Sequence, residues 1–221
     1  MNQLEQDHRV SFLVFDLNSA KTVAYHANSS YYGASTIKGA FVPCAVSNHP
    51  DVMDTSLNQI SYILSLSDNE MYKDLFIRYP NQEFVDWCKD ASLDESKGKY
   101  LFTHYTSVDL AKLWVKNDQF FKDDQNGERL GVLFEDPYVS PIQASLKKRY
   151  TIRSKAGWIN EGPNYNSTSD AGIIYDESPY IMVIMSDYPA KLDQFETLIP
   201  LLDTIHKEMV YGPIVPKDQA I

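Results

Sequence analysis

The chain has 221 residues, of which 43% are hydrophobic and 23% charged, with a net charge of −10 and a pI near 4.9. That length can bury a sizeable core as one domain or two lobes, and the composition is ordinary for a globular protein. The acidic balance disfavours nucleic acid and anionic membrane as general partners, and no apolar stretch is long enough to span a bilayer.

The polar opening, Met1 to Asp7, lacks the apolar segment of a signal peptide, so the expectation is a cytosolic protein or a mature domain whose leader has been removed. Arg9 to Asp16 reads as a strand with apolar residues on both faces, hence covered on both. Asn18-Ser19 turn it back into a second strand over Lys21 to Tyr25. A helix is expected from about Ala34 towards Val46, with Pro43 as a kink or an early stop. Asp54-Thr55 reads as the cap of a helix carrying Leu57, Ile60, Ile63 and Leu64, ending in the turn-rich Ser65 to Asn69. A helix over Glu70 to Ile77 follows, stopped by Pro80. Residues 81 to 104 are mixed and polar, without a clear period. Thr106-Ser107 cap a helix with Val108, Ala111 and Trp114 on one face. Residues 127 to 148 carry one or two short helices. The pattern then changes to strands at Tyr150 to Trp158, Ser167 to Tyr175 and Tyr180 to Met185. Leu192, Phe195, Leu198, Ile199, Leu202, Ile205 and Met209 repeat at helical spacing, with Pro200 as an expected bend.

Strands at both ends and helices between them predict an α+β fold. One antiparallel sheet, from residues 1–33 and 146–221, is flanked by helices, and residues 34–145 form an inserted all-helical lobe; together these make one catalytic domain. Cys44 and Cys88 are either a pair or buried free thiols. The histidines show no metal-ligand spacing, and no cofactor is implied.

Ser35 and Lys38 stand three residues apart at the head of an apolar run, which puts both on one helical face. A lysine neutralised by burial and a neighbouring cation can take a serine proton and so activate the hydroxyl. The pattern alone is common: Ser96/Lys99 and Ser145/Lys148 match it too. Two later stretches single out the first pair. Ser67-Asp68-Asn69 is rare by chance, although by itself it reads as a helix cap. Lys155-Ala156-Gly157 lies on a late strand.

Ser35-x-x-Lys38, Ser67-Asp68-Asn69 and Lys155-x-Gly157, in that order, resemble the serine β-lactamase and penicillin-binding protein superfamily, over most of the chain. The resemblance implies that Ser35 attacks the carbonyl of a β-lactam or of a D-alanyl-D-alanine-like stem peptide and becomes acylated. It implies that Lys38 acts as base and that Ser67 relays a proton to the departing nitrogen. Asn69 would hold Lys38 and the substrate amide. Lys155 would meet the substrate carboxylate and help keep Lys38 neutral. The N–H groups of Ser35 and Trp158 would form the oxyanion hole, and Gly157 would let substrate lie close to the strand. It also implies an extracytoplasmic location.

Three departures qualify the likeness. Ala156 stands where the family has a threonine or serine whose hydroxyl helps bind the carboxylate. Between Asn69 and Thr106, none of Glu70, Glu83 and Glu95 has an asparagine at the spacing of the class A deacylating glutamate. The segment from Ser35 to Ser67 is short, which trims the helical lobe.

Overall fold

The computed structural model describes residues 8–212. The opening segment Met1 to Asp7 lies outside the described residues. Strand β1 (Val10–Asp16) and β2 (Thr22–Tyr25) form the opening hairpin, and the short β3 (Tyr31–Tyr32) leads into a 3₁₀ turn over Ala34–Ile37. The helical lobe follows: α1 (Lys38–Asn48), α2 (Val52–Thr55), α3 (Leu57–Ser61), α4 (Asn69–Arg78) and α5 (Asn81–Asp90). Strand β4 (His104–Tyr105) pairs with β3, and α6 (Ser107–Asp123), α7 (Gln125–Val132) and α8 (Pro141–Leu146) complete the run. Strands β5 (Thr151–Ile159), β6 (Ser167–Tyr175) and β7 (Tyr180–Ser186) and the closing α9 (Leu198–Tyr211) finish the chain.

Five strands make one antiparallel sheet in the order β2-β1-β7-β6-β5, so the first strand pairs directly with the last, from Val10 opposite Ser186 to Asp16 opposite Tyr180. The apolar residues of β7 explain its central place. Tyr180, Met182 and Ile184 face a core closed by α8 and α9, while Ile181, Val183 and Met185 face the helical lobe. A strand buried on both faces needs no polar alternation. Helix α1 is almost wholly buried among the other helices of the lobe; Asn117 of α6 donates to the Gly39 carbonyl at 2.8 Å and ties the two helices together. Pro43 is accommodated inside α1.

Several local expectations are corrected. Asp54-Thr55 do not cap the expected helix: they lie inside α2, which ends at Thr55, and α3 begins at Leu57 after Ser56, followed by Tyr62–Leu66 wound into a π turn. Residues 81 to 90, read as irregular, are helix α5. Its polar residues cover an outer face, while Phe84, Val85, Trp87 and Cys88 are buried. The closing stretch is not one bent helix: Leu192–Phe195 is a separate 3₁₀ turn, and Pro200 sits in the first turn of α9, where its missing N–H costs no helical bond. Cys44 and Cys88 are buried free thiols. Thr106 caps α6 as expected, in a reciprocal box with Asp109. Among the described residues no helix is long and apolar enough to cross a membrane.

Candidate active site

Ser35 lies on the 3₁₀ turn and Lys38 one turn later, where the Lys38 N–H bonds the Ser35 carbonyl. In 3₁₀ winding, side chains at i and i+3 eclipse, so the two stand on one face. Ala34, just before the serine, is held at φ 44°, a left-handed conformation that costs a non-glycine residue energy. Ser35 is half-buried and Lys38 fully buried.

The hydrogen bonds of Lys38 go to the second motif rather than to the Ser35 hydroxyl. Its Nζ donates at 2.6 Å to the Ser67 carbonyl and at 2.6 Å to Asn69 Oδ1, and lies 3.5 Å from Ser67 Oγ. A neutral amine has two N–H donors and one lone pair. The two close acceptors use the donors and leave the lone pair for a serine proton. Ser67 is itself left-handed, at φ 61°, and ends the π turn. Asp68 between them caps α4, accepting from the Met71 N–H at 2.8 Å. The cap and the site are therefore built from one tripeptide: the middle residue starts the helix and the outer two face Lys38.

The third motif arrives on β5, an edge strand of the sheet. Lys155 is buried, and its Nζ donates at 2.9 Å to Ser67 Oγ and at 2.9 Å to the Ala156 carbonyl. Ala156 is fully buried and Trp158 half-buried, with Lys155 Nζ 5.9 Å from the Trp158 ring. Gly157 is required by contact. A Cβ there would fall 2.7 Å from the Ser35 nitrogen, 2.6 Å from the Thr36 nitrogen and 2.9 Å from the Gly33 carbonyl oxygen. The strand thus passes against the backbone nitrogen of Ser35, one residue before Trp158. The other two serine–lysine pairs lie elsewhere: Ser96 is exposed with Lys99 paired to Glu95, and Ser145 and Lys148 lie at the end of α8 and just beyond it.

Burial lowers Lys38 to about 8, against the opposing charge of Asp68. Burial together with the Lys38 charge lowers Lys155 to about 7, with Asp170 opposing. The two amines converge on one hydroxyl, Ser67 Oγ, which lies 2.9 Å from Lys155 Nζ and 3.5 Å from Lys38 Nζ. Asp170 was not legible as a site neighbour. It pairs across the sheet with Ala156, its Oδ2 accepts from Ser140 Oγ at 2.6 Å and the Ile142 N–H at 3.0 Å, and its Oδ1 is buried without a partner. Burial raises it to about 6.

No carboxylate of the three considered earlier faces the pair. Glu70 is exposed, Glu83 bonds His49 at 2.8 Å, and Glu95 pairs with Lys99 and Lys89. What the segment before α6 brings to Lys38 is the Phe102 ring, 5.9 Å from Nζ, anchored through a 2.9 Å bond from the buried Tyr72 hydroxyl to the Leu101 carbonyl. Nothing in the sequence near Phe102 signals this. Among the described residues no cluster of three His, Cys, Asp or Glu side chains is placed to hold a metal ion.

The model of a family described as the beta-lactamase enzyme family matches residues 54–205, more than half of the chain. The chain belongs to the beta-lactamase enzyme family. The family match takes in Ser67, Asn69 and Lys155, and begins after Ser35 and Lys38. Solved structures share the fold. One is a mutant of PBP-A in an acyl-enzyme complex with penicillin G, 19% identical over 95% of this chain and 91% of that one, with a TM-score of 0.70. Another is a halotolerant bacterial β-lactamase, 17% identical over 94% and 97%, with a TM-score of 0.70. A third is a β-lactamase from Streptosporangium roseum, 15% identical over 90% and 94%, with a TM-score of 0.69. No curated protein matches the sequence. Membership of this family fits a site of the serine β-lactamase and penicillin-binding type.

Proposed function

We propose that this protein forms an acyl-enzyme on Ser35 with β-lactams or D-alanyl-D-alanine-like peptides, and releases the acyl group slowly. The observation that carries this reading is the meeting of three distant motifs at Ser67, where Lys38 holds the carbonyl and Lys155 the hydroxyl. In the reaction, Lys38 accepts the Ser35 proton as Oγ bonds the substrate carbonyl carbon. The C–N bond breaks, and the Ser67 hydroxyl gives its proton to the departing nitrogen and is reprotonated from the lysine pair. The backbone N–H groups of Ser35 and Trp158 stabilise the oxyanion, at about 3 kcal/mol for each such donor.

Release needs a second base for water. The Phe102 ring beside Lys38 and the outward glutamates speak for its absence, and a missing general base typically slows a step by about 100 to 10,000-fold. Incubation with penicillin G followed by intact-protein mass spectrometry tests both halves. One adduct per chain is expected to accumulate, to vanish in Ser35→Ala and to persist in Ser96→Ala and Ser145→Ala. An adduct surviving in Ser35→Ala overturns the nucleophile. Rapid turnover without a detectable adduct overturns slow release. A second reading, a penicillin-binding or sensor domain that acylates once, is favoured by Ala156. A chromogenic cephalosporin separates it, giving a single stoichiometric burst. The same reading places the protein's work outside the cytoplasm, where such stem peptides are found.

A further inference from the structure

Four aromatic side chains run from the buried lysine to the mouth of the site. Tyr72 and Phe102 lie 5.4 and 5.9 Å from Lys38 Nζ, with their ring centroids 5.5 Å apart. Phe102 meets Tyr32 at 6.4 Å, and Tyr32 meets Tyr165 edge-on at 5.4 Å. Tyr32 is three residues before Ser35 and is fixed by the β3–β4 pairing, with the His104 ring against it at 5.5 Å. Tyr165 comes from the loop after β5, the strand that carries Lys155 and Gly157 past Ser35. The wall therefore joins the segment that leads into Ser35 to the loop that follows Gly157. Its inner ring, Tyr72, is core, but Phe102 and Tyr32 are half-buried and Tyr165 is 50% exposed. The Tyr32–Tyr165 pair, set edge to face, leaves an open face and edge that suit another ring better than an aliphatic chain.

We propose that Tyr32, Phe102 and Tyr165 form a specificity wall for a flat aromatic substituent on the acyl group of the substrate. The proposal rests on Ser35 as the acylated residue. Burial, with the charge of Glu161 and the neighbouring Tyr165, raises the Tyr32 hydroxyl, so this ring meets the substituent in its protonated form.

The test uses two penicillins that differ only in the side chain, phenylacetyl against acetyl. The second-order rate of adduct formation is measured for each by mass spectrometry. The unaltered protein is expected to favour the phenylacetyl compound by about tenfold, the scale of two or three aromatic contacts. Tyr165→Ala and Tyr32→Ala should each reduce that ratio by about threefold or more, and Tyr165→Phe should retain it. Because Tyr32 lies close to the strained Ala34, its alanine variant can lose activity by misplacing Ser35; the exposed Tyr165 is free of that ambiguity. Equal rates for the two penicillins in the unaltered protein, or a ratio unmoved in Tyr165→Ala, overturn the wall. Absence of both adduct and turnover with the two compounds overturns the nucleophile, and the wall with it.

Discussion

Lys38 is a lysine whose surroundings decide its chemistry. Burial lowers it to about 8, so acylation is expected to rise about tenfold per pH unit from pH 6 and to level off above about 8. A rate that is flat from pH 6 to 9 would exclude Lys38 as the base, and Lys38→Gln should lose acylation by at least about 100-fold across that range. Ala156 is the other decisive residue. On the proposed reading, a substrate carboxylate loses a partner there for want of a hydroxyl, at a cost of roughly 1–3 kcal/mol. Ala156→Thr is accordingly expected to speed acylation more than release, read as a higher adduct-formation rate with a nearly unchanged adduct lifetime. A larger effect on release than on acylation would show that residue 156 acts on water rather than on the carboxylate.

At the scale of elements, β6 carries a liability in Asp170. Its carboxyl is raised from 3.8 to about 6, so the folded chain binds this proton more tightly than the unfolded chain does. The stabilisation it supplies is complete below about 3.8 and is lost as pH rises through about 6. Asp170→Asn removes that loss. Denaturant midpoints should show the variant gaining on the unaltered protein between pH 4 and 7, by roughly 1–3 kcal/mol. A difference that does not change with pH would place the carboxylate in a more polar setting than its burial indicates. Elements were legible in proportion to how local their causes are. The strands announced themselves because Val10 to Asp16 and Tyr180 to Met185 are apolar on both faces. Helix α5 did not, because Asn81, Gln82, Glu83, Asp86, Lys89 and Asp90 mask the spacing of its four buried residues. The π turn before Ser67 has no sequence signature at all. Motif order exposed Ser35, Lys38, Ser67, Asn69 and Lys155 together. Phe102 and Asp170 reach the site only through tertiary contact, with Lys38 and across the sheet from Ala156, which no local pattern encodes.

For the molecule as a whole, the site is a seam. Ser35 and Lys38 sit where the chain enters the helical lobe, Ser67 and Asn69 within that lobe, and Lys155 on the sheet. The two cores meet the sheet from opposite sides, one beneath the helical lobe and one under α8 and α9. The pairing of β1 with β7 has a consequence for how the protein comes into being. Strand β1 lies between β2 and β7, and every one of its residues from Val10 to Asp16 has a β7 partner. During synthesis the opening hairpin must therefore wait, with one edge bare, while the whole helical lobe and two further strands emerge. Contacts this distant along the chain slow folding, because loop closure must precede their reward. The lysine pair at Ser67 cannot form until β5 docks, so the energetic burden of burying two lysines falls late, on a chain already largely committed to its fold.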